Sequence, residues 1–208
     1  EAFRETVAAI RPMGILTGGL KAPPAPAAYL TSDGQIWTGP GDNEWILYWF
    51  NRMATRSLAE AGLRFDWIGD EHVEAGWLKN YRAVIVPGTW KLPAKTHAAL
   101  AAFAKAGGEV VVDKCFGGEI PGATVLPIAN RAREHAGAGK ASVDALQSWC
   151  KSFLARRPDS IRLRDGERGW LFEKADGPAR FVFVVNDLFE PGALANEHKL
   201  SNNMGTRT

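Results

Sequence analysis

Tyr81-Arg82-Ala83-Val84-Ile85-Val86-Pro87-Gly88 is the stretch on which the fold turns. Its apolar, β-branched run has no polar alternation, as expected of a parallel strand covered on both faces, and Pro87-Gly88 breaks it. Downstream, Leu92 to Ala106 places Leu100, Phe103 and Ala104 on one helical face until Gly107-Gly108 stops it. Glu109-Val-Val-Val-Asp113 is the next buried strand, and Ala123 to Pro127 a weaker one. Ser142 then caps a helix that aligns Val143, Leu146, Trp149, Cys150, Phe153 and Leu154, and Pro158 ends it. Upstream, Leu63 to Ile68 alternates apolar and polar residues, as an edge strand does. Before it lies a helix capped by Asp42, carrying Ile46, Trp49, Phe50, Met53 and Leu58, and stopped at Gly62. Ala27 to Thr31 is a first buried strand, ended by Ser32-Asp33-Gly34 and expected beside Leu63–Ile68. This order predicts an α/β domain, an open parallel sheet with helices on both faces.

The flanks read differently. Residues 1–25 comprise a helix and a Pro-rich linker, in which Pro23, Pro24 and Pro26 enforce an extended path. The α/β unit is expected over 26–158. From 159 to 208 the pattern becomes β-rich: Ile161–Arg164, Gly169–Lys174 and Arg180–Asn186 are short β runs separated by Asp165-Gly166 and Asp176-Gly177-Pro178. That spacing predicts antiparallel strands, the start of a β-sandwich needing a cover. Both ends are expected to belong to units that continue beyond this chain.

Composition narrows the function classes. The 208 residues carry 25 Lys plus Arg against 23 Asp plus Glu, a formal charge of +2, so no strong field draws nucleic acid or an anionic membrane. No apolar run approaches the roughly 20 residues of a membrane helix. Two cysteines, Cys115 and Cys150, are too few for a disulfide scaffold, and they say nothing of compartment. No paired Cys or His spacing indicates a metal, and no Gly-rich stretch has the pattern of a phosphate or dinucleotide loop, so no cofactor is expected. Gly117-Gly118 and Gly137-Ala-Gly139 read as turns, and Asp70, Glu71, His72 and Glu74 as a solvated loop.

In an open α/β sheet ligands bind at the carboxyl ends of the strands. Those ends offer Ser32 and Asp33, then Gly88, Thr89 and Trp90, then Asp113, Lys114, Cys115 and Phe116, with Trp37 in the nearby loop from Gln35 to Gly41. Asp33, Trp37, Trp90 and Asp113 are the candidate binding residues, against ordinary roles as turn former, core aromatic and cap. Exposed Trp faces would stack on sugar rings. Asp113-Lys-Cys-Phe-Gly117 resembles the Gly-x-Cys-x-Gly nucleophile turn of class I glutamine amidotransferases. That family pairs the thiol with a later His-x-Glu. Here Glu134-His135-Ala136 and Glu197-His198-Lys199 lack the spacing, and His72-Val73-Glu74 precedes the cysteine. Asp113 replaces the first glycine, where its charge would raise a thiol pKa.

Three longer stretches carry a wider resemblance: Arg56-Ser-Leu-Ala-Glu-Ala-Gly-Leu-Arg-Phe-Asp-Trp-Ile68, Leu78-Lys-Asn-Tyr-Arg-Ala-Val-Ile-Val-Pro-Gly88 and Leu100-Ala-Ala-Phe-Ala-Lys-Ala-Gly-Gly-Glu-Val-Val-Val112. Together they resemble the glutamine-amidotransferase-like domain, often called the trimerisation domain, that follows the catalytic barrel in β-galactosidases of glycoside hydrolase family 42 and related enzymes. The resemblance covers roughly residues 26 to 157. It implies a flavodoxin-like fold without the amidotransferase triad, a preceding catalytic barrel as partner, a carbohydrate substrate for the parent enzyme, and homo-oligomer contacts. The barrel's glutamates would lie upstream of Glu1, so no catalytic residue carries over. Two alternatives stay open: a cysteine-dependent hydrolase or amidase using Cys115, and a carbohydrate-binding or interaction module.

Overall fold

A computed structural model describes residues 18–34, 51, 54–114, 116–126, 136–157, 161 and 170–185, with the backbone alone at 136–143, 170 and 185. The expected helix over residues 1–16, the loop with Trp37, the Asp42 cap with Ile46, Trp49, Phe50 and Met53, Cys115, Pro158 and residues 162–164 lie outside the described residues.

Five parallel strands form the main sheet: β1 (Ala27–Leu30), β2 (Phe65–Ile68), β3 (Ala83–Val86), β4 (Glu109–Asp113) and β5 (Thr124–Leu126), in the order β2-β1-β3-β4-β5. β3 holds the centre because its alternate residues feed two separate cores. Ala83 and Ile85 turn to one layer, with Leu58 from the helix at 54–60, here α1, and Leu146, Trp149, Cys150, Phe153 and Leu154 from the last helix. Val84 and Val86 turn to the other, with Val73, Leu78, Tyr81 and Leu100. That second layer comprises α2 (Asp70–Glu74), a 3-10 turn (Trp77–Asn80) and α3 (Ala94–Lys105). Each such Val, Ile or Leu stabilises the fold by about 1.5–3 kcal/mol through burial, and β3 contributes to both cores at once.

β2 is the end strand of the sheet, as expected, and pairs with β1 from Ala27↔Phe65 to Leu30↔Ile68, but its burial does not alternate: Trp67 is exposed beside the exposed Asp66. Gly62 ends α1 at φ +78°, a left-handed value that disfavours a side chain. Two further expectations are corrected. Asp70–Glu74 is a helix and not a solvated loop, because its first residue is drawn inward by partners from other elements. The last helix, α4, runs over Ala136–Ala155, so Ser142 is interior and Gly137-Ala-Gly139 is helical. Two glycines cost about 2 kcal/mol in a helix interior, a penalty the long buried stripe from Leu146 to Leu154 outweighs.

Beyond the main sheet, β6 (Trp170–Asp176) and β7 (Ala179–Val185) pair antiparallel from Trp170↔Val185 to Asp176↔Ala179. The architecture is an open α/β sheet with helices on both faces plus a two-stranded antiparallel sheet. Of the expected strand Ile161–Arg164, the one described residue, Ile161, is in neither helix nor strand.

Candidate functional site

Strand order reverses between β1 and β3, so the loops leaving these two strands frame the crevice where open α/β sheets place ligands. Three strand ends and two helix starts converge on it. At the end of β1, Ser32 is buried; its hydroxyl donates to Asp70 Oδ2 at 2.8 Å and accepts from the Gly34 amide at 3.2 Å. The Asp33 amide donates to the same Oδ2 at 2.9 Å. From α3, the buried Thr96 hydroxyl donates to Asp70 Oδ1 at 2.7 Å. Asp70 itself is 9% exposed, and this carboxylate joins β1, α2 and α3. Among the described residues its partners are donors of the protein itself, which suits a structural anion.

The second rim carboxylate is similarly engaged. Asp113, 2% exposed at the end of β4, accepts from the Gly88 amide at 2.5 Å and so holds the turn after β3. The Thr89 hydroxyl donates to the Pro87 carbonyl at 3.1 Å within that turn. Next, the Gly117 amide donates to the Trp90 carbonyl at 2.9 Å, laying the loop after β4 against the loop after β3. Gly34 lies closer still to its neighbour: a Cβ there would stand 1.8 Å from the Lys91 carbonyl oxygen. The loops from β1 and β3 therefore meet backbone to backbone, and the crevice between them is closed at that point. A hollow of about 10 Å³ under β3 and β4, lined by Ile85, Pro87, Val111, Asp113, Leu126 and Leu146 among others, has room for roughly a single water.

The four sequence candidates separate accordingly. Asp113 lies inside and Asp33 is exposed on the rim. Trp90 is 54% exposed and therefore not a core aromatic. Trp37 and Cys115 are outside the described residues. Sequence reasoning missed Asp70 and His97. The strand-end rule points to Asp70 once it is applied to β2 as well as to β1, β3 and β4. His97, on α3, stacks on Phe116 with ring centroids 6.3 Å apart, and its Nε2 lies 3.0 Å from the Glu119 carbonyl. The contact fixes the ring with Nε2 donating to that carbonyl. No group of three His, Cys, Asp or Glu able to hold a metal occurs among the described residues, and no helix there is long and apolar enough to cross a membrane.

Burial shapes the titrating groups near the cores. Tyr29, on β1, donates to Asn51 Oδ1 at 2.7 Å; burial, and then the negative charge of Asp113, hold its phenol well above the ordinary value. Burial also pushes the Cys150 thiol far up, which keeps it protonated and unreactive.

No family model matches the chain, and no curated protein matches it. Among solved structures it is similar to Gan42B, a GH42 beta-galactosidase, at 21% identity and a TM-score of 0.44, over 55% of this chain and 17% of that one. It is similar also to the beta-galactosidase from Bifidobacterium adolescentis, at 20% identity and a TM-score of 0.35, over 87% of this chain and 98% of that one. A third likeness is to a carbon monoxide dehydrogenase from a Thermococcus species, at 12% identity and a TM-score of 0.34, over 76% of this chain and 26% of that one. The chain thus spans a small part of the length of the first of these, and the likeness is distant.

Proposed function

We propose that this chain is a non-catalytic, amidotransferase-like accessory domain of a multidomain carbohydrate-active enzyme, a glycoside hydrolase of β-galactosidase type. The observation that carries the reading is the engagement of the rim. Asp70 accepts three hydrogen bonds from the protein, Asp113 holds the Gly88 amide, and Gly34 abuts the Lys91 carbonyl. A crevice filled by its own backbone and carboxylates suits a scaffold better than a catalyst. The three stretches that resemble the family 42 domain supply the parent enzyme class. In this reading the catalytic barrel precedes the domain, copies of the chain contact one another, and the exposed face of Trp90, together with Trp37, borders the sugar cleft.

The test is β-galactoside hydrolysis by the protein that carries this chain in its natural context. Trp90→Ala is expected to raise KM severalfold with kcat unchanged, and Cys115→Ala to leave both constants unchanged. Loss of activity in Cys115→Ala, or amide hydrolysis by the 208-residue chain alone, overturns the accessory reading in favour of cysteine catalysis.

A further inference from the structure

The Pro-rich segment, the α/β unit and the β hairpin meet at one side chain. Arg64 lies just ahead of the edge strand β2, and its guanidinium forks: Nη1 donates to the Pro23 carbonyl at 3.2 Å, and Nη2 lies 3.3 Å from Glu173 Oε2 on β6. The Glu173 side chain is only 7% exposed, and its other oxygen lies 3.4 Å from Arg180 of the same hairpin. A carboxylate taken that far from water is stable only with its cations in place. Leu171, two residues before Glu173 and so on the same strand face, sits 3.7 Å from where a Cβ of Gly62 would stand. The face of β6 that carries Leu171 and Glu173 is thus turned onto the α/β unit.

A second set of contacts closes the triangle. Lys21 and Ala175 exchange both backbone hydrogen bonds, at 3.0 and 2.7 Å, an isolated antiparallel bridge on the edge of β6. β6 therefore has β7 along one edge and the Pro-rich segment on the other. Pro23 and Pro24 offer no amide to a ladder, so the extended segment needs donors for its carbonyls, and Arg64 supplies one.

We infer that residues 18–25 and the β6–β7 hairpin are a fixed junction docked on the turn between α1 and β2, pinned by Arg64. The segment leading into the α/β unit and the hairpin that follows it then move with that unit as one body, neither as a flexible linker nor as a separate module. This inference is independent of the proposed enzyme class.

Amide hydrogen exchange on the whole 208-residue chain tests it. The Lys21 and Ala175 amides are expected to be protected. Arg64→Met, which removes both prongs of the fork, should speed their exchange by about tenfold or more, with Val84 and Val111 unchanged. Arg64→Lys, which keeps the charge without the fork, should speed the same two amides less and also spare Val84 and Val111. Unprotected Lys21 and Ala175 amides in the unsubstituted chain overturn the junction. So does full protection of both in Arg64→Met, or equal loss at all four amides in both variants.

Discussion

Thr96 reaches from α3 to the carboxylate of Asp70 at the head of α2, Oγ1 to Oδ1 at 2.7 Å, with both residues out of water. The other oxygen of the same carboxylate gathers the end of β1 through Ser32 and the Asp33 amide. One buried anion thereby sets the distance between two helices and the strand end beside the crevice. It occupies, with structural bonds, a position where α/β enzymes commonly present reacting groups.

Removing that anion should cost stability in steps. Asp70→Ala strands two buried hydroxyls and an amide and is expected to destabilise by about 3 kcal/mol. Asp70→Asn keeps the shape and one acceptor, and the Thr96 hydroxyl can turn to accept from the new amide, so its cost should be about 1 kcal/mol. Urea unfolding midpoints check the order. Equal midpoints for Asp70→Ala and the unsubstituted chain would mean that the network adds nothing.

Gly34→Ala makes a sharper demand. The added methyl would meet the Lys91 carbonyl oxygen, a backbone atom that no rotamer can move aside. The loops after β1 and β3 must separate, at about 2 kcal/mol or more. Gly76, with nothing within 4 Å of its Cβ position, has no such neighbour. Its positive φ of 79° still strains an alanine there, so Gly76→Ala isolates backbone strain from collision. Thermal unfolding should place Gly34→Ala below Gly76→Ala.

Alkaline titration follows from the phenols. Burial and Asp113 raise Tyr29 well above 10.0. Burial, the charge of Asp66 and the hydrogen bond to it push Tyr81 up to about 12. A proton held more tightly in the folded chain stabilises it fully below pH 10. That contribution fades as pH climbs from the unfolded value of about 10 through the folded one. Absorbance at 295 nm should therefore show no more than one of the three tyrosines ionising between pH 9 and 11. Tyr81→Phe should flatten the fall of stability above pH 10, and an unchanged slope would remove Tyr81 from the account.

How far the sequence disclosed this arrangement depends on how local each signal is. The run Val110-Val111-Val112 reads as a doubly covered strand because burial on both faces leaves no other pattern, and β4 spans Glu109–Asp113. Gly62 reads as a stop because the left-handed turn is a local demand. The role of Asp70 was hidden, since its partners Ser32 and Thr96 lie 38 and 26 residues away. A run of Asp, Glu, His, Val and Glu looks solvated until those hydroxyls arrive. His97 was hidden likewise, because its contact with Phe116 joins a helix to a loop that only the fold brings together.

The two cysteines offer a last prediction, which separates the scaffold from the thiol enzyme. Cys150 is fully buried on α4, among Leu146, Phe153 and Leu154, and its thiol is pushed far above the ordinary range. It should resist iodoacetamide in the native chain and react only when urea opens that core, so peptide mapping should find no native label at Cys150. The rate at Cys115 then decides its chemistry. An unassisted thiol becomes more reactive as pH rises toward its ordinary value of about 8.5, whereas a thiolate held by a neighbouring imidazolium reacts at a constant rate between pH 6 and 8. The scaffold reading expects the rising profile, because the sequence lacks the later His-x-Glu that activates the thiol in amidotransferases. A flat profile at Cys115 would show an activated nucleophile and would move the reaction onto this chain.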